Sequence, residues 1–208
     1  MQFDHWLAFA AASGILLAIP GPTVLLVISY ALGHGRRSAL GTVAGVALGD
    51  FTAMTASMLG LGALLAASAE VFTVVKWIGA AYLIFLGIKL WRAPVTELGG
   101  GAAAPAEVGR TRMFLHAYAV TSLNPKSIVF FVAFLPQFLD ASAPALPQMV
   151  VCEATFIVMA TLNALLYGLM ASAARRTIQR PVVQRAVNRT GGSLLVGAGL
   201  LAIAWRKT

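Results

Sequence analysis

The stretch TSLNPKSIVFFVAFLPQFL, residues 121–139, sets the problem for the whole chain. Nearly all of it is apolar enough for hydrocarbon, yet Asn124, Pro125 and Lys126 stand together near its start. A proline removes a backbone donor and clashes with the preceding helical turn. A lysine is costly inside a bilayer. A hydrophobic helix that carries both side by side has been broken at a chosen place, and the remaining sequence has to say what the break is for.

The composition fixes the environment. Of 208 residues, 59% are hydrophobic and only 11% are charged, with a mean hydropathy of +0.84. A soluble domain carries about 25% charged residues, so these side chains cannot cover a surface facing water and the chain reads as a membrane protein. The net charge of +8 would suit nucleic acid only as a basic patch on a soluble fold. Here Lys and Arg cluster between apolar runs, as in cytoplasmic loops, so no nucleic-acid partner is expected. Cys152 is the single cysteine, which leaves no intrachain disulfide and no cysteine-based metal cluster. The three histidines are separated and make a poor metal site, and no cofactor is implied. The first basic residue is Arg36, so the N-terminal apolar stretch lacks the basic region of a secretory signal and is expected to belong to the mature protein.

About 20 mostly apolar residues span a bilayer as a helix. Six spans are expected, over residues 6–32, 39–66, 71–91, 113–139, 145–173 and 191–205, the first interrupted at Pro20-Gly21-Pro22 and the fourth at Asn124-Pro125. The sixth is short, and five spans with that segment lying on the membrane surface is the alternative. The segment RAPVTELGGGAAAPAEVGRTR reads as a flexible linker. It divides an all-α membrane domain into residues 1–92, a linker over 93–112 and residues 113–208. Arg36 and Arg37, then Lys89, Arg92, Arg110 and Arg112, then Arg175, Arg176, Arg180, Arg185 and Arg189 fall in three loops on one side, 11 of the 15 basic residues. That bias makes those loops cytoplasmic and the N-terminus external; Arg206 and Lys207 run against it.

Each part then holds three spans, and an odd number reverses orientation, so related halves would form an inverted repeat. Pro22 precedes the acid Asp50 by 28 positions, and Pro125 precedes the acid Glu153 by 28. Breaks at corresponding places mark a midplane binding site in such transporters. Freed backbone at membrane depth is tolerated only against protein or a watered cavity. Half-helix ends offer amides to an anionic group and carbonyls to a cationic one, which suits a zwitterion such as an amino acid.

The candidate substrate and proton pathway therefore comprises Pro20, Gly21, Pro22, Asp50, Asn124, Pro125, Lys126, Glu153, Tyr82 and Asn163. Asp50 is either a site for a proton or a substrate ammonium, or a structural partner for Lys126. Lys126 either snorkels to the outer interface, pairs with an acid, or meets substrate. Glu153 is expected nearer the outer surface, and Lys76 as a snorkelling anchor. Asn163 and Tyr82 either line a cavity or bond across helices. His34 and His116 read as solvated loop-edge residues, and Trp6, Trp91 and Trp205 as interface belts. Gly41, Gly45 and Gly49 fall on one helix stripe and allow close backbone approach, within the chain or in a homodimer.

PGPTVLLVISYALGHGRRSALGTVAGVALGD resembles the N-terminal signature of the LysE/RhtB family of amino-acid exporters. AYLIFLGIKLWR resembles that family's third span and NPKSIVFFVAFLPQFL its fourth, in the family's order. The resemblance implies a multi-pass exporter of the bacterial cytoplasmic membrane that moves amino acids or close derivatives and is coupled to inward proton movement. It carries over Pro20, Gly21, Pro22, Gly49, Asp50, Asn124, Pro125 and Lys126. The expected partners are an amino acid, protons and membrane lipid. An exporter of a metal cation or another small metabolite is the alternative, against which stands the lack of a clustered His, Cys and Asp ligand set. An intramembrane enzyme would need a Ser-His pair, facing acids or a zinc motif, and none is visible at recognisable spacing.

Overall fold

The computed structural model describes residues 1–35, 38–67, 69–93, 109–140, 142–173 and 180–204. Arg36, Arg37, most of the linker (94–108), Arg175, Arg176, Trp205, Arg206 and Lys207 lie outside the described residues, as does the side chain of Lys76. Every regular element among the described residues is helical: α1 (Phe3–Ala18), α2 (Pro22–His34), α3 (Ser38–Ala67), α4 (Ala69–Trp91), α5 (Arg110–Ser122), α6 (Pro125–Ala133), a 3-10 turn (Leu135–Gln137), α7 (Ala145–Ala173) and α8 (Pro181–Ala204).

The two breaks follow from proline chemistry. The residue before a proline is pushed out of the α region, and Ile19, ahead of Pro20, is extended at φ −79°, ψ 115°. Pro22 then starts α2 at a position where its missing amide costs nothing. The second break repeats the device: Asn124 caps α6 by accepting from the Lys126 amide, and Pro125 follows at the first turn. The chain bends by 52° between α1 and α2 and by 42° between α5 and α6. Leu40–Gly60 and Ala145–Ala171 are each long and apolar enough to cross a membrane, and each bent pair qualifies as one more span. Length and composition thus carry four of the six expected spans among the described residues.

Three expectations are corrected. α6 stops at Ala133, short of residue 139, because Pro136 cannot donate the next helical bond and a 3-10 turn takes over. α8 begins ten residues earlier than expected, at Pro181. Arg185 and Arg189, assigned above to a loop, therefore lie within it. Their charges stay at exposed positions, and the Arg189 guanidinium lies 5.2 Å from the centre of the Trp91 ring, so a polar half-helix forms where hydropathy alone saw loop.

Glycine sets the helix packing. The stripe on α3 faces α5: a Cβ on Gly41 would lie 3.1 Å from the Arg110 carbonyl oxygen, and one on Gly49 would lie 2.7 Å from Thr121 Cβ. A Cβ on Gly45 would collide with the Phe114 carbonyl oxygen. The stripe is thus occupied by an internal contact. α4 meets α8 in the same manner, Gly87 and Gly192 lying back to back with a Cβ on either within 2.6 Å of the other's carbonyl oxygen. An aromatic core joins α1, α6 and α7, in which Phe131 meets Phe156 edge-on at 4.8 Å.

Gly45→Ala should cost about 1–3 kcal/mol through overpacking. Gly60→Ala, whose new methyl meets nothing within 4 Å, should be neutral or slightly stabilising. Thermal unfolding in detergent of the two variants is the check, and equal melting temperatures would refute the packing account.

Candidate functional site

The last carbonyls of an α-helix have no partner within it, and at a break inside apolar surroundings each needs a donor from elsewhere. α1 ends in this way, and other elements supply what it lacks. The Lys126 ammonium donates to the carbonyl oxygens of Leu16 at 3.0 Å and Ile19 at 2.8 Å. Asn163 Nδ2 donates to Leu17 O at 3.1 Å, and the Tyr167 hydroxyl donates to Ala18 O at 2.9 Å. Asn163 and Tyr167 stand one turn apart on α7, so a single helix face reaches two adjacent carbonyls. Lys126 is 8% exposed, its chain buried across the break instead of reaching for an interface. Gly21 gives it room, since a Cβ there would sit 3.3 Å from the ammonium nitrogen.

The two breaks are tied to each other. Asn124 Nδ2 donates to Thr23 Oγ1 at 3.2 Å, and Thr23 Oγ1 shares a hydrogen bond with Thr121 Oγ1, also at 3.2 Å. Thr23 belongs to the first turn of α2, and Asn124 caps α6. From α3, Asp50, only 3% exposed, completes the group. Its position directly follows Gly49, one of the glycines at which α3 and α5 approach closely. The Asp50 and Lys126 charges act on each other.

These groups surround one polar cavity, lined among others by Leu16, Thr23, Asp50, Asn124, Lys126 and Asn163. Gly21, Val24 and Ser127 add the starts of α2 and α6 to its wall. The positive ends of two half-helices, the negative end of a third, one acid and one base therefore converge. The cavity measures about 30 Å³, room for about two waters and well below the roughly 300 Å³ at which ligand pockets begin. This conformation is closed around its polar centre.

Not every sequence candidate arrives there. Glu153 accepts a hydrogen bond from Thr55, joining α7 to α3. It stands ten residues from Asn163, roughly 15 Å along the helix, and is not among the residues that line the cavity. Tyr82 lies on α4 with its ring 6.2 Å from that of Phe85, also outside the lining. Pro125 is exposed and acts through the backbone. His34 is not solvated as expected: both its ring nitrogens are buried without a partner among the described residues. His116 is exposed and bonds Tyr30 at 2.9 Å. Sequence reading missed Thr23, Thr121, Ser127 and Tyr167. Tyr167 had a signal, four residues after Asn163, and Thr23 follows Pro22 as Lys126 follows Pro125; Thr121 had none.

A helical membrane protein with paired discontinuous helices meeting around buried polar groups has the architecture of secondary transporters. The model of the LysE type translocator family matches residues 14–204, and the chain belongs to that family. It is 37% identical over 207 residues to the homoserine/homoserine lactone efflux protein of Salmonella typhimurium, covering 98% of both chains. It is 34% identical over 203 residues to an uncharacterized membrane protein of Vibrio cholerae, covering 97% of both. The leucine efflux protein of Salmonella typhimurium matches at 33% over 141 residues, 68% of this chain and 66% of that one. No solved structure matches the chain.

Lys126→Met takes the donor from the Ile19 carbonyl and leaves the Leu16 carbonyl only the Ile19 amide at 3.3 Å, and should destabilise the protein by about 1–3 kcal/mol, the cost of one unsatisfied buried group. Tyr167→Phe frees one carbonyl in an exposed contact, where water can replace the lost donor, and should cost less. Thermal unfolding in detergent ranks the two; a Lys126→Met protein as stable as the parent would refute the clasp.

Proposed function

We propose that this protein exports amino acids, or close derivatives with an uncharged side chain, across the bacterial cytoplasmic membrane in exchange for protons. One observation carries the reading: a single closed cavity is bounded by the amide ends of α2 and α6, the carbonyl end of α1, and the Asp50 and Lys126 side chains. A zwitterion needs both polarities at close range. Its carboxylate suits the amide ends of α2 and α6 and the Lys126 ammonium. Its ammonium suits Asp50 and the α1 carbonyls. The cavity's one acid and one base are then both engaged by the backbone charges of the cargo, which leaves nothing to balance a charged side chain. The efflux proteins of homoserine and leucine among the relatives agree with a neutral cargo.

In the proposed cycle Asp50 holds a proton and a cargo ammonium in turn, so that inward proton movement drives outward transport. Lys126 holds α1 against α6 in the closed form, and a cargo carboxylate drawing on that ammonium would loosen the clasp. The six spans form two inverted repeats, α1/α2 with α3 and α4, and α5/α6 with α7 and α8. The N-terminus lies outside. The two bends of 52° and 42° support the pairing, as does the shared spacing of Pro22 to Asp50 and Pro125 to Glu153.

Efflux from cells preloaded with a panel of labelled amino acids tests the reading. Faster loss of one neutral class is expected with the parent protein alone. Asp50→Asn should abolish its pH-driven component, since an amide cannot take up and release the proton that the cycle requires. Equal efflux across the panel with and without the protein would overturn it, and undiminished proton coupling in Asp50→Asn would remove Asp50 from the mechanism.

A further inference from the structure

A second cavity lies on the opposite side of α1's last turn. It measures about 420 Å³, within the range of ligand pockets, which are mostly apolar with a few placed polar groups and often sit between bundle helices. α1, the end of α6 with the turn after it, α8 and Leu83 of α4 form its walls, through residues such as Ala8, Ala12, Phe134, Phe138 and Ala198. Ile15 on α1 and Leu194 on α8 also line it while remaining 45% and 39% exposed, so its mouth opens sideways, toward the surface that a membrane protein turns to hydrocarbon.

Polarity is confined to Ser193, exposed next to Leu194 on α8, and two further groups. His5 stands at the start of α1 and Gln137 in the turn after α6, and both line the cavity. His5 Nδ1 is buried without a partner among the described residues, and Gln137 spends its amide nitrogen on the Ala133 carbonyl at 2.8 Å. An apolar chamber with a lateral mouth and polar groups toward the membrane edge of α1 matches an amphiphile that lies along the bilayer normal. An amino acid does not match, since the walls offer no charge for either of its ends.

We propose that this chamber binds an acyl chain of a membrane phospholipid, taken in between Ile15 and Leu194, with its polar end toward His5 and Gln137. The bound chain packs against Leu16 and Ile19, whose side chains line the chamber and whose carbonyls hold the Lys126 ammonium. It supports the broken end of α1 from the side away from the polar cavity. The proposal rests on membrane residence alone and is independent of what the protein exports.

Two measurements test it. In nanodiscs of phosphatidylethanolamine and phosphatidylglycerol, a phosphatidylethanolamine carrying a diazirine on one acyl chain should label Ala8–Ile15 and Leu194–Ala198 preferentially. Ala12→Phe and Ala198→Phe fill the chamber and should each lower that labelling about tenfold, the equivalent of a modest overpacking cost. Leu59→Phe, at a position 72% exposed on α3, should label as the parent does. Native mass spectrometry of the unsubstituted protein after detergent exchange should show one retained phospholipid per chain, which keeps the test independent of how the variants fold. Labelling spread evenly over the helices, or a protein that emerges free of phospholipid, overturns the proposal. Protection of the chamber by free leucine or homoserine would also overturn it and assign the space to cargo.

Discussion

Four backbone carbonyls at the end of α1, in surroundings that offer little water, are the constraint around which the molecule is arranged. Pro20 and Pro22 create them by ending one helix and starting another within a few residues. Leaving such groups unpaired costs about 1–3 kcal/mol each, and burying an unpaired ammonium costs several more. Joined, the two liabilities cancel: Lys126 gives Leu16 and Ile19 a donor, and they give it acceptors. Asn163 and Tyr167 complete the set from α7. The lysine beside the proline is thus the counterpart of a break in a different helix, more than a hundred residues earlier in the chain.

Close backbone contact makes that exchange possible. Glycines on α3 let α5 approach until carbonyl oxygens fill the space of missing side chains, and Asp50, next to the last of them, reaches the cavity as a result. α4 and α8 are joined by their own glycine pair. In the proposed cycle these helix pairs would rock about the polar centre, the motion alternating access requires.

α1's last turn separates a small polar cavity from a large apolar one. Leu16 touches both. Its carbonyl answers to charge and its side chain to packing, so a change on either face bears on the same few residues. The polar cavity, at about 30 Å³, is too small for an amino acid, so in the proposed cycle cargo would have to displace one of its walls.

The amino-acid sequence determined the environment, the places where helices break and the residues that carry charge at depth, because hydropathy, proline sterics and the scarcity of buried ions are local properties that need no partner to be read. The spacing of Gly41, Gly45 and Gly49 likewise announced a contact, though not that α5 would fill it. Tertiary structure alone decided which donors meet which acceptors. Lys126 had three readings in sequence, and the fold adds a task that none of them named, donating to two carbonyls of another helix; Asn163 was a candidate and Tyr167 was not, yet they share one task; Glu153, the expected counterpart of Asp50, bonds Thr55. Sequence also placed Arg185 and Arg189 in a loop, since a polar half-helix held against Trp91 has no hydropathy signal. A carbonyl has no side chain to announce it, so the groups that organise this site were written in the backbone, and only the folded chain brings their partners within hydrogen-bonding distance.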